Sequence, residues 1–151
     1  MTREEKATSC FRNGYLCSQA ILAAFSGDCG ISDEQALRLG SCFGSGMRRG
    51  EVCGACTGAL MVLGLMYDET RAGDQEGRQR TNELNERMMN RFSEANGSCR
   101  CNDLLGCDIR TPEGVRYARD HHLFTEFCPK MVASATEILE EVIQSRREVN
   151  P

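Results

Sequence analysis

Residues 52 to 67 form a continuous run of small and apolar residues, VCGACTGALMVLGLMY, which limits the possible folds more than any other segment. The run is too long for a typical strand and does not alternate between polar and apolar residues, so it predicts a buried helix. A glycine costs about 1 kcal/mol in a helix interior. Gly54, Gly58 and Gly64 therefore predict a packing or site reason, such as the close approach of a neighbouring helix.

Helix signals recur along the rest of the chain. Thr2-Arg3-Glu4-Glu5 and Ser32-Asp33-Glu34-Gln35 both match the capping box, in which two side chains each satisfy a backbone N–H at a helix start. Further helices are predicted at three places: residues 84–92, where apolar residues recur every fourth position, Thr111-Pro112-Glu113, and Cys128-Pro129. We predict an all-α fold, a single-domain helical bundle of about five to six helices over residues 1–151 with a cysteine site between helices.

The first predicted helix follows the first capping box. One apolar face joins Cys10, Gly14, Cys17, Ile21 and Ala24 at helical spacing. The pattern predicts that these five residues share one continuous helix.

Composition excludes several function classes. The net charge is −4, tryptophan is absent and no basic stripe is visible, so the chain offers no electrostatic reason to bind nucleic acid. No stretch reaches the roughly 18 consecutive apolar residues that a membrane span needs. The N-terminus, MTREEKATSC, lacks the apolar region of a signal peptide. We expect a cytoplasmic protein without a membrane span.

Ten cysteines stand at positions 10, 17, 29, 42, 53, 56, 99, 101, 107 and 128. In a reducing compartment, metal binding or redox chemistry explains so many thiols better than a disulfide framework does. A single free cysteine is commonly a small buried hydrophobe. That explanation is insufficient for all ten.

Local spacing suggests which thiols act together. In a helix, Cys53 and Cys56 would share one face, whereas Cys99 and Cys101 would point the same way only in extended backbone. Cys128 precedes Pro129 at a predicted helix start, where unpaired N–H groups and the helix dipole favour an anion. We therefore expect a lowered pKa for the Cys128 thiol.

Several familiar motifs do not fit. Cys53-Gly54-Ala55-Cys56 is followed by threonine and not by histidine, so it is no c-type haem attachment site. A zinc ribbon would need a second CxxC. The glycine-rich segment 43–50, FGSGMRRG, lacks the spacing of a phosphate-binding loop and predicts a loop beside the site. Any site must therefore be assembled by the packing of separate helices.

Four blocks of sequence resemble the C_GCAxxG_C_C family, which is described as putative redox-active proteins. The blocks are CSQAILAAF at Cys17, GEVCGACTGALMVLGL at Cys53, SCRCNDLLGCD near Cys101 and CPKMVASATEILEEVI at Cys128, in the family's order. Carried over by motif, the family's four cysteines are Cys17, Cys53, Cys101 and Cys128. Cys56, Cys99 and Cys107 are rivals, and the spacing to Leu-Leu-Gly favours Cys101.

The resemblance extends to the N-terminal region of split-Soret cytochromes, which is thought to hold an iron–sulfur cluster; their haem motif is missing here. It implies that the four cysteines meet at one site, with Gly54 and Gly58 allowing the approach. Our leading hypothesis is that the four thiolates bind an iron–sulfur cluster, specifically [2Fe–2S], for electron transfer or redox sensing.

Two alternatives remain open at this point. One is a cofactor-free thiol–disulfide protein that uses Cys128 with Cys17 or Cys53. The other is a structural zinc module. The sequence does not identify an electron-transfer partner or decide whether the chain is an enzyme such as an oxidoreductase, although a slim Gly/Ala helix would suit a homodimer.

Overall fold

The computed structural model describes residues 1–69 and 71–149, and the fold within them is all-α, as predicted. Nine α-helices follow one another in this part of the chain: α1 Arg3–Arg12, α2 Cys17–Ala24, α3 Ser26–Cys29, α4 Asp33–Leu39, α5 Gly54–Tyr67, α6 Gln75–Asn96, α7 Cys101–Leu105, α8 Pro112–Asp120 and α9 Cys128–Val149. The number exceeds the expected five or six because several of the helices are only one or two turns long. None of the described helices is long and apolar enough to cross a membrane.

The predicted capping boxes begin α1 and α4. The Glu5 N–H donates to Thr2 Oγ1 at 3.1 Å, and the Thr2 N–H donates to the Glu5 carboxylate at 2.8 Å. Ser32 and Gln35 make the equivalent pair of bonds, both 3.0 Å long. These short-range bonds satisfy N–H groups that a helix start leaves unpaired.

The first predicted helix is divided in two. Helix α1 ends at Arg12 and α2 begins at Cys17, so the expected continuous face from Cys10 to Ala24 is wrong. Gly14 lies between them with a φ of +100°, a conformation that glycine adopts without a steric penalty. The break places Cys17 at the start of a helix instead of in the middle of one.

Helices α2 and α5 pack closely at the centre of the core. A Cβ at Gly58 would lie 2.9 Å from the Ser18 carbonyl oxygen, and one at Gly54 would lie 2.5 Å from Cys17 Sγ. The predicted packing reason is therefore confirmed at these two glycines. It is wrong at Gly64, where a Cβ would meet nothing within 4 Å.

The main core surrounds this helix pair. Helices α1, α6 and α9 pack around α2 and α5, and they enclose fully buried side chains that include Ile21, Phe25, Val62, Phe92 and Leu139. A smaller apolar cluster forms where α7 approaches the start of α9, around Cys101, Leu105 and Ile109. The cysteine site lies between these two clusters.

Candidate functional site

A cavity of about 480 Å³ is lined by all four cysteines that the family resemblance selects. Cys17, Cys53, Cys101 and Cys128 come from four segments of the chain and contribute to the same cavity wall. The rival cysteines Cys56, Cys99 and Cys107 are not among the lining residues. The structure therefore brings the selected four together and leaves the three rivals outside.

Each of the four cysteines stands at the N-terminal end of a helix. Cys17, Cys101 and Cys128 are the first residues of α2, α7 and α9, and Cys53 directly precedes α5. Helix N-termini carry unpaired N–H groups and the positive end of the helix dipole, both of which favour negative charge nearby. Four helix starts meeting at one cavity make a setting suited to anionic sulfur.

Backbone N–H groups hold the Cys17 sulfur. The N–H groups of Ser18 and Ser45 hydrogen-bond to it, and both bonds act to lower the pKa of the thiol. The turn before α2 is itself held by Gln19, whose side chain accepts the Leu16 N–H at 2.8 Å and donates to the Leu37 carbonyl at 2.9 Å. Hydrogen bonds therefore hold both the Cys17 sulfur and the turn that precedes it.

The glycine-rich segment 43–50 lies beside the cavity as the predicted loop, and its backbone forms a left-handed turn. Ser45, Met47 and Arg48 have φ values of 55°, 60° and 58°. A left-handed conformation costs a non-glycine residue roughly 1–2 kcal/mol, so this turn is strained. The Ser45 N–H that hydrogen-bonds to the Cys17 sulfur belongs to this turn.

Two backbone hydrogen bonds tie Cys53 to Cys101. The Cys53 N–H donates to the Cys99 carbonyl at 2.8 Å, and the Cys101 N–H donates to the Glu51 carbonyl at 2.6 Å. The two bonds flank an isolated antiparallel bridge between Val52 and Arg100. Cys99 thus positions Cys53 through its backbone.

The CxxC pair does not form the site by itself. Cys53 has φ −51° and ψ 131°, outside the helix, while Cys56 lies in the first turn of α5 and is fully buried. The Cys53 thiol hydrogen-bonds to both Cys17 and Cys56. Cys53 therefore links the cavity to a thiol in the core.

Burial and mutual contact raise the pKa of all four cavity thiols. The hydrogen bond with Cys53, reinforced by burial, raises the pKa of Cys17. At Cys53, the hydrogen bond from Cys17 lowers the pKa, but the bond to Cys56 and burial together outweigh it and raise the value. Burial and the proximity of Cys17 raise the pKa of both Cys101 and Cys128 to about 12.

The expected low pKa of Cys128 is therefore wrong. The helix start is present, but burial is the largest influence on this thiol, followed by its neighbours Cys17 and Cys101. Both influences disfavour a thiolate. The helix sequence alone revealed neither the partial burial of this thiol nor its two neighbouring thiols.

The four cavity thiols can be compared with the ligands that a metal centre requires. A tetrahedral zinc site has Zn–S bonds of about 2.3 Å, and within residues 1–69 and 71–149 no group of three or more His, Cys, Asp or Glu side chains is already placed to hold one ion. In number and chemistry the four thiols match the usual ligands of an iron–sulfur cluster. In a cluster, the ligands are shared among several iron atoms.

Sequence reasoning missed two features of this site. It did not find that Cys17 and Cys101 begin helices and that Cys53 directly precedes one, and it did not find the Ser45 N–H. Gln19 was an available signal for the helix start at Cys17. A glutamine three residues after the residue that precedes a helix can accept that residue's backbone N–H, as Gln19 does from Leu16. The left-handed turn at Ser45 had no comparable signal.

Comparison with known proteins agrees with the resemblance. The family model C_GCAxxG_C_C, described as putative redox-active protein, matches residues 15–142. Searches of curated proteins and of solved structures found no significant match. The chain belongs to the C_GCAxxG_C_C family.

Proposed function

We propose that this member of the C_GCAxxG_C_C family binds an iron–sulfur cluster, specifically [2Fe–2S], through Cys17, Cys53, Cys101 and Cys128, and serves in electron transfer or redox sensing. The observation that carries the proposal is the meeting of these four cysteines, each at a helix N-terminus, around one cavity. When bound, such a cluster would supply one-electron chemistry.

The charge balance of the site supports a cationic centre. Burial and mutual proximity hold the thiols protonated, which makes them poor nucleophiles near neutral pH. A bound metal centre deprotonates its thiol ligands outright. The four helix starts would then stabilise the resulting thiolate charge.

Residues around the thiols would tune the reduction potential of the cluster. The Ser18 and Ser45 N–H groups donate to Cys17, and N–H donors to ligand sulfur tune the reduction potential of a cluster. Leu105 and Met131 contribute apolar surface to the cavity, and limited solvent access also tunes the potential. These residues would therefore set the potential without ligating iron.

Anaerobic purification and cluster reconstitution test the proposal. Absorption, iron and acid-labile sulfide are measured on one sample, and two iron and two sulfide per chain are expected. Single serine variants at the four cysteines should lower the iron content and change the spectrum. Cys42→Ser is the matched control, because Cys42 is exposed and outside the cavity.

Two results would contradict the cluster. A colourless protein without iron or sulfide after reconstitution is one of them. Equal iron content in the four cavity variants and in Cys42→Ser is the other. Stoichiometric zinc that resists replacement by iron would instead favour the structural zinc module.

A second candidate function is supported by the hydrogen bond between the Cys17 and Cys53 thiols. Two adjacent thiols can form a disulfide, releasing two electrons and two protons to a disulfide oxidant that is itself reduced to two thiols. This arrangement favours Cys17 and Cys53 over Cys128 as the reacting pair. A reversible two-electron couple in iron-free protein, lost in Cys17→Ser and kept in Cys128→Ser, would favour this function over the cluster.

A further inference from the structure

We infer that the cavity at the cysteine site also binds a small organic anion, with an apolar body and one carboxylate group. The inference goes beyond the proposed centre, because it concerns the remaining space in the cavity and does not depend on which thiol chemistry operates there. It rests on the cavity's size, on its apolar walls and on one arginine.

The size of the cavity matches a small-molecule site. Its volume of about 480 Å³ lies within the range of roughly 300–1,000 Å³ that is typical of pockets for small organic ligands. The core of a [2Fe–2S] cluster has four atoms and would fill only a minor part of this space. Room remains for a ligand next to the thiols.

The walls away from the sulfur atoms are mainly apolar. They include aromatic and aliphatic side chains from α1, α7, the residues just before α9, and α9 itself: Phe11, Leu104, Leu105, Phe124, Phe127 and Met131. Such a surface favours the transfer of an alkyl or aryl group from water, with a gain proportional to the apolar area buried. The body of the ligand is therefore apolar.

Arg12 determines the charge of the ligand. It is the one charged side chain among the lining residues, it is exposed, and within the described residues it forms no salt bridge or side-chain hydrogen bond. A guanidinium group binds a carboxylate through two parallel N–H···O bonds. A ligand held by Arg12 at the solvent-exposed edge would extend its apolar body towards the cysteines.

Binding of decanoate to the full-length, anaerobically purified protein tests the inference by isothermal titration calorimetry. We expect one saturable site per chain. Octanoate, which is two methylene groups shorter, should bind about tenfold more weakly because less apolar surface is buried. Decan-1-ol has the same chain without the charge and should bind more weakly than decanoate.

Two arginine variants locate the carboxylate. Arg12→Gln should weaken decanoate binding about tenfold, as expected for a charge-assisted bond at a solvent-exposed edge, and should leave decan-1-ol unaffected. Arg87→Gln is the matched control, because Arg87 is an exposed helical arginine outside the cavity. It should change neither affinity.

A third variant tests the location of the apolar body. Thr125 is an exposed lining residue, and Thr125→Trp adds bulk at the cavity without altering the core. This variant should weaken both decanoate and decan-1-ol at least tenfold. Unchanged binding in Thr125→Trp would overturn the inference.

Three other results would overturn it: no saturable binding, equal affinity for decanoate and decan-1-ol, or equal effects of Arg12→Gln and Arg87→Gln. Iron and sulfide are measured on the same sample. A protein that binds decanoate but no cluster would contradict only the proposed function, and a protein that binds a cluster but no decanoate would contradict only this inference.

Discussion

Gly54→Ala adds one methyl group at the closest approach of α5 to α2, beside the Cys17 sulfur. The new Cβ would lie 2.5 Å from Cys17 Sγ, 3.0 Å from the Phe43 carbonyl oxygen and 3.2 Å from the Ser18 backbone nitrogen. Ordinary contacts between non-bonded heavy atoms are about 3.5–4.0 Å. The Cys17 sulfur must therefore move by about 1 Å or more, away from its hydrogen bonds to Ser45 and Cys53.

The effect on stability is the difference between two opposing contributions. Overpacking of a close contact costs about 1–3 kcal/mol. Replacing glycine with alanine in a helix gains up to about 1 kcal/mol, and the gain is smaller at the first position of α5. We expect Gly54→Ala to lower the free energy of unfolding by about 1 kcal/mol, which is a tolerable loss for a folded domain.

The effect on the site should be much larger than the effect on stability. Iron and acid-labile sulfide after reconstitution measure the effect on the site, and urea denaturation of the metal-free protein measures the effect on stability. Gly64→Ala is the matched control in the same helix, since a Cβ there meets nothing within 4 Å. It should stabilise the protein by up to about 1 kcal/mol and leave the iron content unchanged.

The reasoning is refuted if Gly54→Ala retains full iron content and is as stable as Gly64→Ala. In that case the site would tolerate a displaced Cys17 sulfur, and the close approach of α5 to α2 would not serve ligand positioning. If Gly54→Ala were too unstable to purify, the same iron and sulfide measurements would be made on protein purified with a stabilising osmolyte such as sucrose, with Gly64→Ala treated identically.

Three further predictions concern the stability of the fold. Gly50→Ala should lower the free energy of unfolding by about 1–3 kcal/mol in urea denaturation, because Gly50 has a φ of +66° and its Cβ would collide with the Asn102 side chain. The free energy of unfolding of the metal-free protein should fall as the pH rises from about 9 to about 12, because Cys101 and Cys128 keep their protons in the folded state while the unfolded chain releases them. The loss should be at most about 1.4 kcal/mol per pH unit for each thiol. Iron-loaded protein, whose thiols are already deprotonated, should not show this loss. Phe92→Ala should cost about 3–5 kcal/mol in the same assay, since Phe92 is fully buried.

Features that depend on residues close together in the chain were predicted correctly from the sequence. Thr2 and Ser32 lie three positions from the residues that complete their capping boxes, so the pattern and the bond are both local. The glycines of α5 also indicated a close helix contact, correctly at Gly54 and Gly58. At Gly64 the same argument failed, because a residue's own helix does not reveal which of its faces has a neighbour.

Features that depend on distant contacts were harder to predict. The helical spacing from Cys10 to Ala24 continues across a break, because a periodic pattern does not record the positive φ of Gly14. Convergence of the four cysteines was implied only by the family resemblance, since α2, α5, α7 and α9 are far apart in the sequence. The left-handed turn that begins at Ser45 ends at Gly50, which lies against the distant Asn102 side chain, and the local sequence does not record that contact.

The ionisation of Cys128 tests whether this thiol can act as the nucleophile of a thiol–disulfide protein, as its place at a helix start suggested. A helix N-terminus stabilises an anion by about 0.3–1 kcal/mol, which lowers a pKa by less than one, since one pKa unit corresponds to about 1.4 kcal/mol. Burial and the neighbouring thiols raise the pKa of Cys128 to about 12, so the helix terminus is too weak to generate a thiolate near neutral pH. A directly bonded metal centre is strong enough to remove the proton, and the four helix starts then favour the ionised sulfurs. The arrangement therefore supports a metal–sulfur centre more than a nucleophilic Cys128. Iodoacetamide should accordingly alkylate Cys128 of the metal-free protein slowly at pH 7 and progressively faster as the pH rises towards 12, and rapid alkylation at pH 7 would show that Cys128 is a reactive nucleophile after all.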